Sequence, residues 1–177
     1  MTTTLIIGGT RSGKSRYAQR LARELSDRPV YLATSRHWDD DHRARIERHK
    51  AERGSEWRTI EEEKRLALPE LQGQVVVVDC ITMWLTNHFF DHGSCLQTSI
   101  EYANAELERA LLLPIEWIFV SNEVGMSLHA PTELGRKFAD LQGFVNQHIA
   151  ARADAVCLMV AGISHYVKGS APCRKEL

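Results

Sequence analysis

Short runs of apolar and β-branched residues recur along the chain and predict the strands of a sheet. Residues 75–78 are four consecutive valines without polar alternation, which indicates a strand buried on both faces, as parallel strands are. The run at 57–60 is weaker than the others. The remaining predicted strands are residues 5–7, 30–33, 115–121 and 155–161.

Apolar residues at helical spacing lie between these runs and predict helices around residues 17–25, 134–149 and 100–113, the last ending before Pro114. Thr59 and Glu62 have the spacing of a capping box, which predicts a further helix through about Leu71. The alternation predicts one α/β domain over residues 1–168, with a doubly wound, mostly parallel sheet flanked by helices. Residues 169–177 have the composition of a mobile tail.

Composition narrows the classes of function. Lys+Arg 22 and Asp+Glu 23 give a net charge of −1, so bulk charge does not favour nucleic acid as a partner. The cysteines (Cys80, Cys95, Cys157 and Cys173) form no C-x-x-C pair, which disfavours a zinc site or a disulfide framework. We also find no leader and no apolar run of the roughly 18 residues that a membrane span needs. We therefore expect a cytoplasmic protein that is neither exported nor inserted in a membrane.

A phosphate-binding loop stands between the first predicted strand and the first predicted helix. Its residues, Gly8-Gly9-Thr10-Arg11-Ser12-Gly13-Lys14-Ser15, match G-x-x-x-x-G-K-[ST] in full. Backbone N–H groups and the helix N-terminus would cradle the β- and γ-phosphates of ATP or GTP. Lys14 would add a full positive charge, and Ser15 a hydroxyl ligand for Mg²⁺. The match predicts a P-loop NTPase-like domain.

Two acids follow predicted strands, where ligands bind in open α/β sheets. Asp79 comes directly after the four valines and is the candidate second ligand of Mg²⁺; an alternative or additional role is to cap the next helix. Glu123 follows the strand predicted at 115–121. On position alone, Glu123 is as consistent with a plain loop carboxylate as with a catalytic one.

Residues 39–53 are rich in both acids and bases and contain little that is apolar. At helical spacing Arg45, His49 and Arg53 lie on one face. Flanking guanidinium groups would disfavour protonation of the imidazole and attract a polyphosphate, as a nucleophilic histidine requires. The alternative is a solvated surface helix.

His88 and His92 are separated by one helical turn and have the spacing of two metal ligands on a helix. However, no third ligand is evident nearby, and Gly93 suggests that the helix ends there. We therefore expect a surface pair without a metal.

Further motifs extend over nearly the whole chain, to about Ile163. They are Tyr31-Leu32-Ala33-Thr34-Ser35, Arg45-Ile46-Glu47-Arg48-His49-Lys50, Trp57-Arg58-Thr59-Ile60-Glu61, Asp79-Cys80-Ile81-Thr82, Ser121-Asn122-Glu123-Val124-Gly125, and Arg136-Lys137-Phe138-Ala139-Asp140 with Gly143 and Asn146-Gln147. Together they resemble the bifunctional adenosylcobinamide kinase / adenosylcobinamide-phosphate guanylyltransferase family of cobalamin biosynthesis. The chain departs from some relatives in having Arg48-His49 where they have two histidines, and Asp79 where they have Glu.

This resemblance implies a P-loop kinase-like fold, a homotrimer and two activities. Adenosylcobinamide would be phosphorylated with ATP or GTP, and GMP from GTP would then pass through a guanylyl-histidine to adenosylcobinamide phosphate, giving adenosyl-GDP-cobinamide. By the R-I-x-x-H-K match the catalytic histidine is His49, and Lys14 of the phosphate loop is the other catalytic residue. The residues that the resemblance assigns to guanine-nucleotide binding are Ala33, Thr34, Ser35, Lys50, Ala51, Glu52, Arg53, Glu61 and Asp79.

Two other functions use the same loop. A simple P-loop kinase of a small metabolite needs no guanylylated histidine, so guanylyl transfer distinguishes it. A non-catalytic GTP-binding switch is a second alternative, but the chain contains no N-K-x-D tetrapeptide for reading guanine. Fold alone does not decide between these functions.

Overall fold

A computed structural model describes residues 1–36 and 54–173 of the chain. Their helices and strands are β1 (Thr3–Gly8), α1 (Lys14–Leu25), β2 (Val30–Ala33), β3 (Arg58–Glu61), β4 (Val75–Asp79), α2 (Ile81–Asp91), α3 (Leu96–Leu111), β5 (Glu116–Asn122), α4 (Glu133–Arg152), β6 (Ala155–Val160) and β7 (Ile163–Lys168). No helix within these residues is long and apolar enough to cross a membrane.

The described strands form one seven-stranded sheet in the order β3-β2-β4-β5-β1-β6-β7. All neighbours are parallel except β6 and β7, which form an antiparallel hairpin. The predicted doubly wound, mostly parallel sheet is confirmed. The sequence analysis missed β7, because both faces of this edge strand are largely exposed and its apolar pattern is weak.

The four valines of β4 supply side chains to both faces of the sheet. Val76 and Val78 belong to the core beneath α2, α3 and α4, whereas Val75 and Val77 belong to the core beneath α1. All four are buried, as the absence of alternation predicted. Burial of both faces leaves the carboxyl ends of the strands as the place where polar side chains meet.

The helix predicted from the capping box at Thr59 is wrong. Residues 58–61 instead pair with β2 in a parallel ladder, and the Glu62 carboxylate accepts hydrogen bonds from the backbone N–H groups of Lys64 and Arg65. The chain then continues without a helix to the short 3-10 turn Pro69–Leu71. Non-local pairing with β2 outweighs the local helix signal, since a lone capping box contributes only about 1 kcal/mol.

Residues 37–53 and 174–177 lie outside the described residues, and the predicted charged helix falls in the first of these ranges. The predicted mobility of the tail at 169–177 stays a prediction.

Candidate active site

The phosphate loop has the backbone conformation that its glycines allow. It starts at Gly8, the last residue of β1, and its Gly13 is the N-terminal cap of α1, with a φ of 96° in the left-handed region. Lys14 is only 7% exposed and folds back over the loop, with Nζ donating to the Gly9 carbonyl at 2.6 Å. The loop and its lysine therefore form a compact cationic cradle at the N-terminus of α1.

The turn between β6 and β7 supports this loop from one side. Gly162 donates its backbone N–H to the Ser12 carbonyl at 2.9 Å. A Cβ atom on Gly8 would clash with the Met159 carbonyl, and one on Gly13 would lie 3.4 Å from the Gly162 Cα. The close approach explains glycine at position 8, and the positive φ explains it at position 13. The sequence analysis missed this support, because backbone contacts leave no side-chain signal.

Asp79 lies at the carboxyl end of β4, on the opposite side of the loop. The register aligns Ala33 of β2 with both Asp79 and Glu61, which places three of the predicted nucleotide-binding residues in one row. Tyr31 donates its hydroxyl to Asp79 Oδ2 at 2.7 Å, a contact that the sequence analysis did not predict. The N-terminal cap of α2 is Cys80, without a side-chain cap bond, so the alternative role of Asp79 as this cap is wrong.

The pKa of the Cys80 thiol depends on the charges around it. Burial and the adjacent Asp79 carboxylate raise its pKa to about 12, and the positive charge of Lys14 opposes this shift. Lys14 therefore lies within electrostatic reach of the end of β4. Carboxylate and hydroxyl oxygens are the ligands that Mg²⁺ prefers, so Asp79 and Ser15 fit a magnesium site chemically.

Thr34 is fully buried directly after β2. Its hydroxyl donates to the Cys80 carbonyl at 2.8 Å, and its own carbonyl accepts from Asn87 Nδ2 at 2.7 Å. The Ser35 hydroxyl donates to the Arg36 carbonyl at 3.2 Å. The Thr34 side chain thus joins the ends of β2 and β4.

Arg36, the last described residue before residue 37, is held by two carboxylates. Its guanidinium donates to Glu63 at 2.6 Å and to both carboxylate oxygens of Asp91 at 2.8 and 2.6 Å. Hydrogen bonds from Arg36 and Lys64 hold the pKa of Asp91 well below its usual range. The predicted site residues that lie outside the described residues are His49, Lys50, Ala51, Glu52 and Arg53.

Glu123 follows β5 directly beside the phosphate loop. Its backbone N–H donates to the Gly8 carbonyl at 3.0 Å. Glu123 lines a crevice of about 560 Å³ between the phosphate loop, the β5–α4 loop and the end of β6, which we call the β5–β6 crevice. Its lining residues are Gly8, Gly9, Thr10, Arg11, Ser12, Asn122, Glu123, Val124, Met126, Ser127, Leu158, Met159, Val160 and Ala161.

A buried amide network fixes the end of β5 against α4. Ser121 donates to Asn146 Oδ1 at 2.6 Å, Gln142 donates to Ser121 at 2.9 Å, and Asn146 Nδ2 donates to the Asn122 carbonyl at 3.1 Å. In the sequence, the sign of this network is that Gln142 and Asn146 lie one turn apart on an otherwise apolar helix face.

The prediction that His88 belongs to a surface pair is wrong. His88 is 2% exposed, its Nε2 lies 3.2 Å from the Lys64 carbonyl, and its ring packs on Tyr102. Burial lowers its pKa to about 4. Within residues 1–36 and 54–173 no cluster of His, Cys, Asp or Glu suits a metal ion held by three such side chains.

The strand order and the loop define a P-loop nucleotide-binding α/β domain. Among solved structures, an ATPase from a type III secretion system superposes on 92% of this chain and 56% of its own with a TM-score of 0.57. At 13% identity this likeness shows the fold alone.

Sequence comparison identifies the family. The profile of the cobinamide kinase / cobinamide phosphate guanyltransferase family matches residues 4–167. The bifunctional adenosylcobalamin biosynthesis proteins of Escherichia coli (strain K12) and Pseudomonas aeruginosa are 38% and 41% identical, each over 93% of this chain and 98% and 96% of their own. The Salmonella typhimurium relative is 36% identical over 98% of its length. The chain belongs to this family, and its activities are those of a cobinamide kinase and cobinamide phosphate guanylyltransferase.

Proposed function

We propose that both activities use the phosphate loop, with Lys14 on the triphosphate in each, and that His49 carries GMP between the two substrates. The observation that carries this proposal is the buried Lys14 folded over the Gly8–Ser15 loop, within electrostatic reach of the Asp79 end of β4. A single cationic cradle beside a carboxylate suits both phosphoryl and nucleotidyl transfer.

In the kinase reaction the hydroxyl of the aminopropanol arm of adenosylcobinamide attacks the γ-phosphorus of ATP or GTP, and the nucleoside diphosphate leaves. Loop N–H groups and Lys14 hold the β- and γ-phosphates and stabilise the charge that develops. Ser15 and Asp79 are the residues that would hold Mg²⁺, with Tyr31 fixing the Asp79 carboxylate. When bound, this ion neutralises charge on the phosphate oxygens.

In the transfer reaction neutral His49 attacks the α-phosphorus of GTP, and pyrophosphate leaves. A phosphate oxygen of adenosylcobinamide phosphate then displaces the histidine and gives adenosyl-GDP-cobinamide. We assign the guanine nucleotide to the β3–β2–β4 side of the phosphate loop. Ala33, Glu61 and Asp79 share one row there, and the other assigned residues are Thr34, Ser35 and residues 50–53.

The same family membership supports the finer statements about partners and place. We propose a homotrimer that acts in the cytoplasm on adenosylcobinamide and its phosphate, with Mg²⁺ as cofactor.

Labelled GTP tests this function. We expect label at the α-phosphate to remain on the protein, acid-labile and alkali-stable as a phosphoramidate is, and γ-label not to remain. His49→Ala should abolish the tag and guanylyl transfer yet spare most kinase turnover, whereas His129→Ala, at an exposed histidine, should label normally. Persistent labelling of His49→Ala, or none of the parent, would favour the simple kinase, as would mass spectra showing phosphorylated but never guanylylated cobinamide.

A further inference from the structure

The β5–β6 crevice differs in chemistry from the rest of the sheet edge. Val124, Met126, Leu158, Met159 and Val160 make much of its wall apolar. Its charged residues, within the described part of the chain, are Arg11 and Glu123. Its volume of about 560 Å³ falls in the range of small-molecule sites. An apolar wall with one acid and one base suits an organic ligand better than a second polyphosphate.

The strand order sets the crevice apart from the side that we assign to the nucleotide. Strands β3, β2 and β4 lie beyond β5 on one side of β1, whereas β6 and β7 lie on the other. Glu61, Ala33 and Asp79 end the strands of the first side. The crevice lies instead at the ends of β5, β1 and β6 and is lined in part by the phosphate loop. A ligand there meets the phosphates from the side away from the assigned nucleotide residues.

Phosphoryl transfer requires this kind of arrangement. The attacking oxygen and the leaving oxygen lie roughly in line on opposite sides of the transferred phosphorus. For a nucleotide held by Lys14 and the β4 side, an acceptor on the other side of the loop is consistent with this in-line arrangement. Glu123 lines that side, and its backbone N–H donates to the Gly8 carbonyl at 3.0 Å. Within the described residues, the Glu123 carboxylate makes no hydrogen bond or ion pair of its own.

Resting on the proposed function, we infer that the β5–β6 crevice binds the hydroxyl-bearing arm and one edge of the corrinoid acceptor, and that Glu123 is its general base. The hydroxyl oxygen forms a bond to the γ-phosphorus, the bond from that phosphorus to the β,γ-bridging oxygen breaks, and the nucleoside diphosphate leaves. The hydroxyl proton passes to the Glu123 carboxylate. The crevice is too small for the whole corrinoid, so the exposed Met126 at its mouth contacts the ring edge.

Two arginine substitutions on one loop test the binding part. Met126 lines the crevice and is 78% exposed, whereas Leu128 is 95% exposed and does not line it. We expect Met126→Arg to raise the KM for adenosylcobinamide about tenfold, equivalent to about 1.4 kcal/mol, with the KM for nucleotide unchanged. Leu128→Arg should keep both values. An unchanged KM for adenosylcobinamide in Met126→Arg, or a rise in the KM for nucleotide instead, would overturn the assignment.

The isosteric Glu123→Gln tests the base. Its kinase kcat should fall by about 10² to 10³, while the protein still accepts α-label from GTP, since that reaction needs no base at this position. Kinase turnover at the parent rate in Glu123→Gln would overturn the role of Glu123. Failure of the proposed function gives a different result, because the parent itself would then not phosphorylate adenosylcobinamide or would not take up label.

Discussion

The two sides of the phosphate loop are built differently. On the β4 side, side-chain hydrogen bonds join the strand ends, from Tyr31 to Asp79 and from Thr34 to Cys80. On the β6 side, backbone contacts from Met159 and Gly162 approach the loop, and the adjoining crevice is largely apolar. Polar groups suit a charged nucleotide and its metal, whereas an apolar wall suits the organic acceptor. This difference supports our proposal that each side of the shared loop binds one substrate.

The largest effect is expected where the two sides meet. Lys14→Ala removes the positive charge that would contact the triphosphate in both reactions. Kinase turnover and GTP labelling should therefore each fall by about 10³. Arg20→Ala, an exposed residue of α1, is the matched control and should retain both activities. Steady-state rates with adenosylcobinamide measure kinase turnover, and retention of the α-label measures guanylylation. If Lys14→Ala phosphorylates at near the parent rate, the phosphate loop is not the site.

A loss confined to the β4 side would sharpen the comparison. Asp79→Asn keeps the shape but removes the charge, so kinase turnover should fall about 10²-fold and the magnesium concentration for half-maximal rate should rise. Tyr31→Phe removes the hydrogen bond to Oδ2 but keeps the carboxylate, so it should have a smaller effect in the same direction. Magnesium titrations of both variants measure this. An unchanged magnesium dependence in Asp79→Asn would leave Asp79 a structural partner of Tyr31.

These two predictions involve residues that the sequence could identify, because their signals are local. The glycines, Lys14 and Ser15 form one continuous motif, and four consecutive valines predict the buried strand before Asp79. The pairing of residues 58–61 with β2 and the support of Ser12 by Gly162 join distant parts of the chain through backbone atoms. No side-chain pattern encodes such contacts. Burial of His88 was missed for a related reason, since its environment comes from Lys64 and Tyr102 on other elements.

Disruption of the buried amide network between β5 and α4 should have a smaller effect, on stability and on the kinase reaction. Asn146→Ala leaves Ser121, Gln142 and the Asn122 carbonyl without this partner, so the free energy of unfolding should fall by about 1 to 3 kcal/mol. Because Glu123 follows Asn122, kinase kcat should also drop, with the KM for nucleotide retained. Urea denaturation and steady-state kinetics measure these changes, with exposed Gln147→Ala as control. Equal stability of the two variants would refute the role of the network.

The smallest effect concerns pH and the β4 side. His88 has an ordinary pKa of 6.5 that burial lowers to about 4, so the unfolded chain binds the proton more tightly. Its contribution is complete above pH 6.5 and declines towards pH 4, by at most about 1.4 kcal/mol per pH unit. His88→Gln keeps a donor for the Lys64 carbonyl but does not titrate.

Unfolding free energies at pH 7 and pH 5 measure the difference. Burial also lowers the pKa of His148, which contributes in the same direction in both proteins and cancels in the comparison. The parent should lose more stability than His88→Gln over this interval. Equal losses would mean that His88 titrates normally in the folded protein.

Simultaneous binding tests the assignment of one substrate to each side most directly. Adenosylcobinamide is titrated into the protein, followed by its visible absorbance, with and without a saturating non-hydrolysable ATP analogue and Mg²⁺. If the two substrates occupy opposite sides of the loop, the dissociation constant for adenosylcobinamide stays the same or decreases when the analogue is present. Displacement of adenosylcobinamide by the analogue, with an apparent dissociation constant that rises in proportion to analogue concentration, would contradict the account.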